Sequence, residues 1–340
     1  MSLLPALPRQ LIDLTLPPPV RKKLRPDQLL ACWLIAGALL LEGSVLIAPS
    51  TIQVLLPQLP MADLPQMETL LTAGVSTATP SGVTAKSFLV IDLASQSQLM
   101  AQQPDRPLYP ASTLKILTAL IILDQYAPDQ ELVLTPTDLT ASLGIKNELN
   151  WQVGEQIKVE ALLAGLMINS DNLAASVLAN HYPGGKVAFI EAMEVKANLL
   201  HLNSQLKITN PVGLDAPDQL LSARDLAWLS QAALEKPLLK SLMQQRQNQV
   251  TGNLNSRVIY HNLVNTNQLL WSQLPIFGVK TGTTTLAGEV LITLTEVKAH
   301  RILIVVMGSR DRYADTRLLL NWTAQRYHWQ SWSEFAYNGQ

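Results

Sequence analysis

The 340-residue sequence predicts an α/β (α+β) fold. One antiparallel sheet is built from strands at the two ends of a domain, a helical block is inserted between them, and an N-terminal transmembrane helix precedes the whole. Three observations lead there. Short strand-like runs open the domain at 87–93 and 98–101 and close it at 276–281, 289–296 and 301–307. Between these groups apolar residues recur at helical spacing over 112–125, 158–181, 186–201 and 222–235. Far upstream, residues 29–41 (LLACWLIAGALLL) form an unbroken apolar run.

That run is the first element. Extended past Glu42 to Ala48 it gives a helix of about 30 Å, the thickness of a hydrocarbon core. Ten Leu, Ile and Val residues in 29–48 offset the cost of about 3 kcal/mol for the off-centre carboxylate. Arg9, Arg21, Lys22, Lys23 and Arg25 precede the run, and the next basic residue is Lys86. This asymmetry places a basic tail, 1–28, in the cytoplasm and everything after residue 48 outside, in the periplasm or cell exterior. A cleaved signal peptide fits less well, because Leu46 is a poor residue for a small-x-small cleavage site. A lipoprotein reading of Cys32 fails because the apolar segment follows the cysteine, and a buried core helix is the remaining alternative.

Residues 49–85, with Pro49, Pro57, Pro60, Pro65 and Pro80, read as a linker with slight helical character near 64–73. The folded domain is then 86–330, with 331–340 a C-terminal tail. Within it, 87–93 and 98–101 pair around a polar turn, and the last two strands form a hairpin around Val297-Lys-Ala-His300. A final helix covers about 312–328.

Composition narrows the function. Charged residues are only 15%, and 25 Lys+Arg balance 26 Asp+Glu for a net charge of −1, so no nucleic-acid partner is implied. A hydrophobic share of 48% excludes intrinsic disorder. The single cysteine, Cys32, excludes an intrachain disulfide framework and any CxxC metal or redox motif. There is no GxSxG, HExxH, Walker loop or GxGxxG, and the five histidines are scattered.

Three short motifs remain. Ser112-Thr-Leu-Lys115 follows Pro110 and opens an apolar helix, so Ser112 falls near a helix N-terminus with Lys115 one turn on, within reach of its hydroxyl. The helix N-terminus suits a developing oxyanion. A second copy, Ser204-Gln-Leu-Lys207, has no apolar helix behind it. Ser170-Asp171-Asn172 lies between apolar helical stretches; by itself it reads as an N-cap. Lys280-Thr281-Gly282 ends an apolar strand and runs into Thr283, with a glycine where a ligand can approach a strand edge. Tyr260-His261-Asn262 mimics the second motif but stands so close before the third that it reads as sheet or loop.

An SxxK at a helix start, an SDN between helices and a KTG at a strand end, in that order, mark acyl-serine enzymes that meet penicillin. From about 86 to 325 the chain resembles the D-alanyl-D-alanine carboxypeptidase family of low-molecular-weight penicillin-binding proteins. Asn210-Pro-Val-Gly213-Leu214, Ser222-Ala-Arg-Asp225, Asn265-Thr-Asn267, Ala287-Gly288 and Val305-Val-Met-Gly308-Ser agree as well. The sequence departs from the family in having Asp171 where a small residue is common and Leu173 where an aspartate is. Class A β-lactamases also carry SDN, but the glutamate they place before KTG in a Glu-x-x-x-Asn stretch is missing.

The resemblance implies a β-lactamase/transpeptidase-like fold and a serine-type carboxypeptidase, without metal or cofactor, acting on peptidoglycan stem peptides ending in D-Ala-D-Ala. β-Lactam antibiotics would be its covalent inhibitors. Ser112 would be the nucleophile, Lys115 its base and Ser170 a proton relay. Asn172 would orient Lys115 and the substrate amide, and Lys280 and Thr281 would hold the substrate carboxylate. Gly282 would leave room beside them, and the backbone N–H groups of Ser112 and Thr283 would form the oxyanion hole. Arg310, Arg312 and Arg317 are all candidates for an assisting arginine. A free lysine titrates near 10.4, so keeping Lys115 neutral at pH 7 takes roughly 4.6 kcal/mol, which burial and the neighbouring cation Lys280 would supply. A D,D-endopeptidase shares all these motifs. A membrane-bound penicillin sensor would acylate without turnover, but a tail of only about 28 residues before the anchor argues for the enzyme.

Overall fold

The structure, a computed structural model, describes residues 69–71, 80–140, 147–202 and 206–331. The basic tail, the 29–48 segment, Cys32 and Ser204 lie outside these. Among the described residues, no helix is long and apolar enough to cross a membrane.

Strand β1 (Thr69–Leu71) is followed by the hairpin β2 (Ser87–Asp92) and β3 (Ser97–Gln102). A 3-10 turn, Ala111–Leu114, runs into α1 (Lys115–Gln125). Then come β4 (Glu131–Val133), α2 (Pro136–Thr140), β5 (Gln156–Lys158), α3 (Val159–Ile168) and α4 (Asn172–Asn180). Next are α5 (Gly185–Leu199), α6 (Ala223–Leu234), α7 (Pro237–Gln244) and the hairpin β6 (Gln247–Leu254) and β7 (Arg257–Val264). The chain closes with β8 (Ile276–Thr284), β9 (Gly288–Val297), β10 (His300–Ser309), α8 (Arg312–Arg326) and β11 (Trp329–Ser331).

The main sheet has the order β3-β2-β10-β9-β8, so strands from both ends of the domain meet at its centre. Every residue of β2 is buried, because the sheet is covered on both faces. Leu89, Ile91, Leu303, Val305 and Met307 pack toward the helical block. Phe88, Val90, Ile302, Ile304 and Val306 pack toward Leu319 and Leu320 of α8. A strand covered on two faces reads as a continuous apolar run, as these do. Each such side chain contributes roughly 1.5–3 kcal/mol. The opposite edge, β8, carries Lys280-Thr281-Gly282 and faces the 3-10 turn bearing Ser112.

The inserted block departs from the expectation of helices alone. It contains a second antiparallel sheet, β4-β5-β6-β7. Two of these strands are three residues long, and β6 (QNQVTGNL) is polar. The β6–β7 turn places Asn255 and Ser256 at φ +49 and +63, the geometry of a tight hairpin that Asn-Gly signals more strongly than Asn-Ser. Tyr260-His261-Asn262 lies on β7. The helix expected over 158–181 is two helices, broken where Ser170 takes a positive φ of 58°. α7, opened by Pro237, was not anticipated. β1 lies inside 49–85 and pairs antiparallel with β11; of the stretch 64–73 read as slightly helical, the described residues 69–71 form a strand.

Candidate active site

Three segments close around Ser112. Ala111 opens the 3-10 turn at φ +50, a left-handed conformation that costs a residue with a Cβ about 1–2 kcal/mol. Two glycines let the neighbouring backbones approach it. A Cβ on Gly213 would lie 1.9 Å from the Ala111 carbonyl oxygen, and one on Gly282 would lie 2.9 Å from Ala111 Cβ and from Ser112 N. The loop at 210–214 is folded on itself by Asn210, whose Oδ1 accepts from Gly213 N (2.8 Å) and Leu214 N (2.9 Å). The Asn-Pro-Val-Gly-Leu stretch thus has a structural job beside the nucleophile.

Lys115 is the first residue of α1 and is fully buried. Its Nζ is 2.8 Å from Ser112 Oγ, 2.7 Å from Asn172 Oδ1 and 2.9 Å from the Val212 carbonyl. Burial lowers its pKa to about 7, against a smaller opposing pull from Asp171. Near neutral pH a substantial fraction therefore carries a lone pair, and Ser112 can donate its hydroxyl proton to it. Burial, the first of the two causes the sequence suggested, carries this depression. Lys280, also buried, is held well below the usual lysine range by burial and then by the charges of Lys115 and Arg312.

Asp171 restarts the chain as the N-cap of α4, accepting from Leu173 N (2.7 Å) and Ala174 N (3.4 Å). That cap fixes Asn172 at the first turn, where its amide oxygen meets Lys115. Ser170, half-buried, sits immediately before it. Along β8, Lys280 Nζ donates to the Thr281 carbonyl (3.1 Å), and Thr281 Oγ1 stands 2.6 Å from Thr266 Oγ1. Arg312, one of the three arginines left open, sends Nη1 to the Gly282 carbonyl (2.8 Å) and to Thr283 Oγ1 (2.6 Å). Ser112 N lies against Gly282, next to Thr283, so the two residues named for the oxyanion hole sit on facing segments.

This arrangement couples a hydroxyl to a buried amine beside a strand edge rich in cationic and hydroxyl groups, the layout of an acyl-transfer site for an anionic peptide end. A family model described as D-alanyl-D-alanine carboxypeptidase matches residues 74–311. The chain belongs to this family of serine peptidases.

Among its relatives, a D-alanyl-D-alanine endopeptidase of Escherichia coli is 31% identical over 74% of this chain and 81% of its own length. One from Pseudomonas aeruginosa is 30% identical over 69% and 76%. An E. coli D-alanyl-D-alanine carboxypeptidase is 30% identical over 74% of this chain and 64% of its own. The fold is that of the Streptomyces K15 DD-transpeptidase, with a TM-score of 0.67, 22% identity, and coverage of 72% of this chain and 98% of that one.

As a D-alanyl-D-alanine carboxypeptidase family member, the chain takes its SxxK from Ser112 and Lys115. Lys207 of the second copy is exposed and bonds through its backbone to Asp218. Val212 and Thr266 had no role assigned from the sequence. Val212 acts through a backbone carbonyl, which leaves no trace in residue identity. Thr266 lies in Asn265-Thr-Asn267, a stretch that matched the family without a role attached.

Proposed function

We propose that this protein is a membrane-anchored serine D,D-peptidase that removes the terminal D-Ala from peptidoglycan stem peptides through an acyl-Ser112 intermediate. The observation that carries the reading is Lys115 Nζ within hydrogen-bonding distance of both Ser112 Oγ and Asn172 Oδ1. Neutral Lys115 takes the hydroxyl proton as Oγ bonds to the penultimate D-Ala carbonyl carbon. The N–H groups of Ser112 and Thr283 stabilise the oxyanion. As the C–N bond breaks, the proton passes through Ser170 to the departing nitrogen. Water, deprotonated by Lys115, then attacks the ester carbon, and Oγ leaves with the proton. Lys280, Thr281, Thr283 and Arg312 hold the substrate's carboxylate; its negative charge restores the Lys280 ammonium that burial disfavours. β-Lactams enter by the same acylation. Residues 29–48 hold the domain outside the cytoplasmic membrane.

A second reading, D,D-endopeptidase, is favoured by the names of the relatives at 31% and 30% identity, of which the chain spans 81% and 76%. The two activities differ only in the leaving group, D-alanine or the amine of a cross-linked stem. A fluorescent penicillin should label Ser112, and Ser112→Ala should abolish both labelling and D-alanine release. Labelling that persists in Ser112→Ala overturns the assignment. Comparing hydrolysis of a pentapeptide stem with that of a cross-linked dimer separates the two readings. Protease accessibility of the 86–330 domain from outside intact cells tests the orientation.

A further inference from the structure

Behind the SDN motif lies a buried polar chain that the reaction does not use directly. Asp171, 5% exposed, spends Oδ1 on the α4 cap, while Oδ2 accepts from Trp151 Nε1 at 2.7 Å. Trp151 is itself buried, and its indole lies 4.0 Å from the His261 ring. His261, on β7, places Nδ1 2.7 Å from the Leu149 carbonyl and Nε2 2.6 Å from Glu155 Oε1. The carbonyl only accepts, so Nδ1 carries a proton. Glu155 Oε2 accepts from Gln152 N (3.0 Å), and Glu155 raises the pKa of His261. Room for this carboxylate is built in: a Cβ on Gly252 of β6 would fall 2.1 Å from Glu155 Oε1. The second sheet thus supplies a buried ion pair whose positive ring faces the indole that donates to Asp171.

We propose that Asp171 is a positioning residue for acylation, held by Trp151 and the Glu155–His261 pair: its cap sets Asn172 against Lys115, and its charge moderates the effect of burial on Lys115. The inference rests on Lys115 as the base of the proposed reaction. The charged groups facing one another along this path are Glu155, His261, Asp171, Lys115 and Lys280, with Arg312 beyond. Asp171 favours the charged form of Lys115. Burial opposes the Asp171 charge, and the Trp151 bond supports it. Burial likewise opposes the His261 charge, but Glu155, the Leu149 carbonyl and Asp171 prevail and raise its pKa.

The test is the pH profile of benzylpenicillin acylation in the full-length protein, for the unmodified chain and for Trp151→Phe, His261→Gln and Asp171→Asn. Acylation rises with pH as Lys115 loses its proton. Each substitution weakens or removes the Asp171 charge, which moves the rising limb to lower pH, by about half a unit or more, and each loosens the hold on Asn172, which slows acylation on the high-pH plateau. Asp171→Asn keeps a capping oxygen and carries the test if the buried aromatic variants fail to fold. A limb that stays in place in Asp171→Asn, or slower acylation without any shift in folded Trp151→Phe and His261→Gln, overturns the inference and leaves only a packing role. If the unmodified protein is not acylated at Ser112, the proposed reaction and this inference fall together.

Discussion

Arg312 donates to Thr283 Oγ1 across 2.6 Å and to the Gly282 carbonyl across 2.8 Å. It therefore fixes the last residues of the KTG strand beside Ser112. Its own main chain is tied down, because Arg312 N donates to Glu289 Oε2 (2.8 Å) on the neighbouring strand β9. Charge-assisted hydrogen bonds of this kind contribute about 1.5–3 kcal/mol. Arg312→Gln should then lower the thermal midpoint as these bonds are lost, and lower kcat/KM for a D-Ala-D-Ala peptide by roughly 10- to 100-fold. Unaltered kcat/KM would show that the arginine is structural only.

Gly213 meets the nucleophile turn more closely than any other residue type allows. At φ +86, with a Cβ position 1.9 Å from the Ala111 oxygen, Gly213→Ala forces either the loop or the turn to move. Overpacking costs typically about 1–3 kcal/mol, and the left-handed backbone adds about 1–2. The variant should unfold at lower denaturant and acylate more slowly than its stability loss alone explains, since Val212, whose carbonyl meets Lys115, precedes the glycine. Normal acylation kinetics in Gly213→Ala would refute the close fit.

The parts of this architecture that were legible in the sequence share one property: their physics repeats along the chain. β2 and β10 are covered on both faces and so read as apolar runs, while α1 and α3 are buried on nearly every side. Ser112, Lys115, Asn172 and Lys280 were legible because the chemistry demands those residue types at fixed spacing. Illegible were contacts made by partners distant in the chain. Trp151 meets Asp171, and Thr266 meets Thr281, through long-range contacts that no local pattern encodes. β6 stayed hidden because, although it pairs with β5 and β7, alternate residues along it are exposed and its polar side chains leave no apolar pattern.

Two buried lysines give the domain an unusual dependence of stability on pH. Lys115 titrates at 10.5 when unfolded and about 7 when folded, and Lys280 is lowered in the same direction. Above 10.5 Lys115 is neutral in both states. Between the two values the unfolded chain binds a proton that the folded one does not, so the free energy of unfolding rises with pH across that window. Below about 7 both states are protonated and the folded state carries the full burial cost. Chemical denaturation at pH 7.5 and 9.5 should therefore show greater stability at the higher pH, by up to about 1.4 kcal/mol per pH unit from Lys115. Lys115→Met should remove that contribution. A flat or falling profile in the unmodified protein would contradict the buried, depressed state of these amines.

Asn172 offers the reciprocal experiment to neutralising Asp171. Its Oδ1 lies 2.7 Å from Lys115 Nζ, and the α4 cap holds it there through Asp171 rather than through its own side chain. Asn172→Asp leaves shape and cap unchanged but puts a carboxylate against the amine. In a buried site an opposite charge at this distance favours the ammonium strongly, so the Lys115 pKa rises and less neutral base is present at pH 7. From a starting pKa of about 7, a rise of one unit lowers the neutral fraction at pH 7 about fivefold. Acylation by benzylpenicillin at pH 7 should fall by at least about fivefold, recover as pH is raised toward 9, and show its rising limb displaced upward. Asn172→Ala, which removes the acceptor without adding charge, should slow acylation with no such recovery. If Asn172→Asp instead loses activity equally at every pH, Lys115 is not the proton acceptor that the geometry makes it.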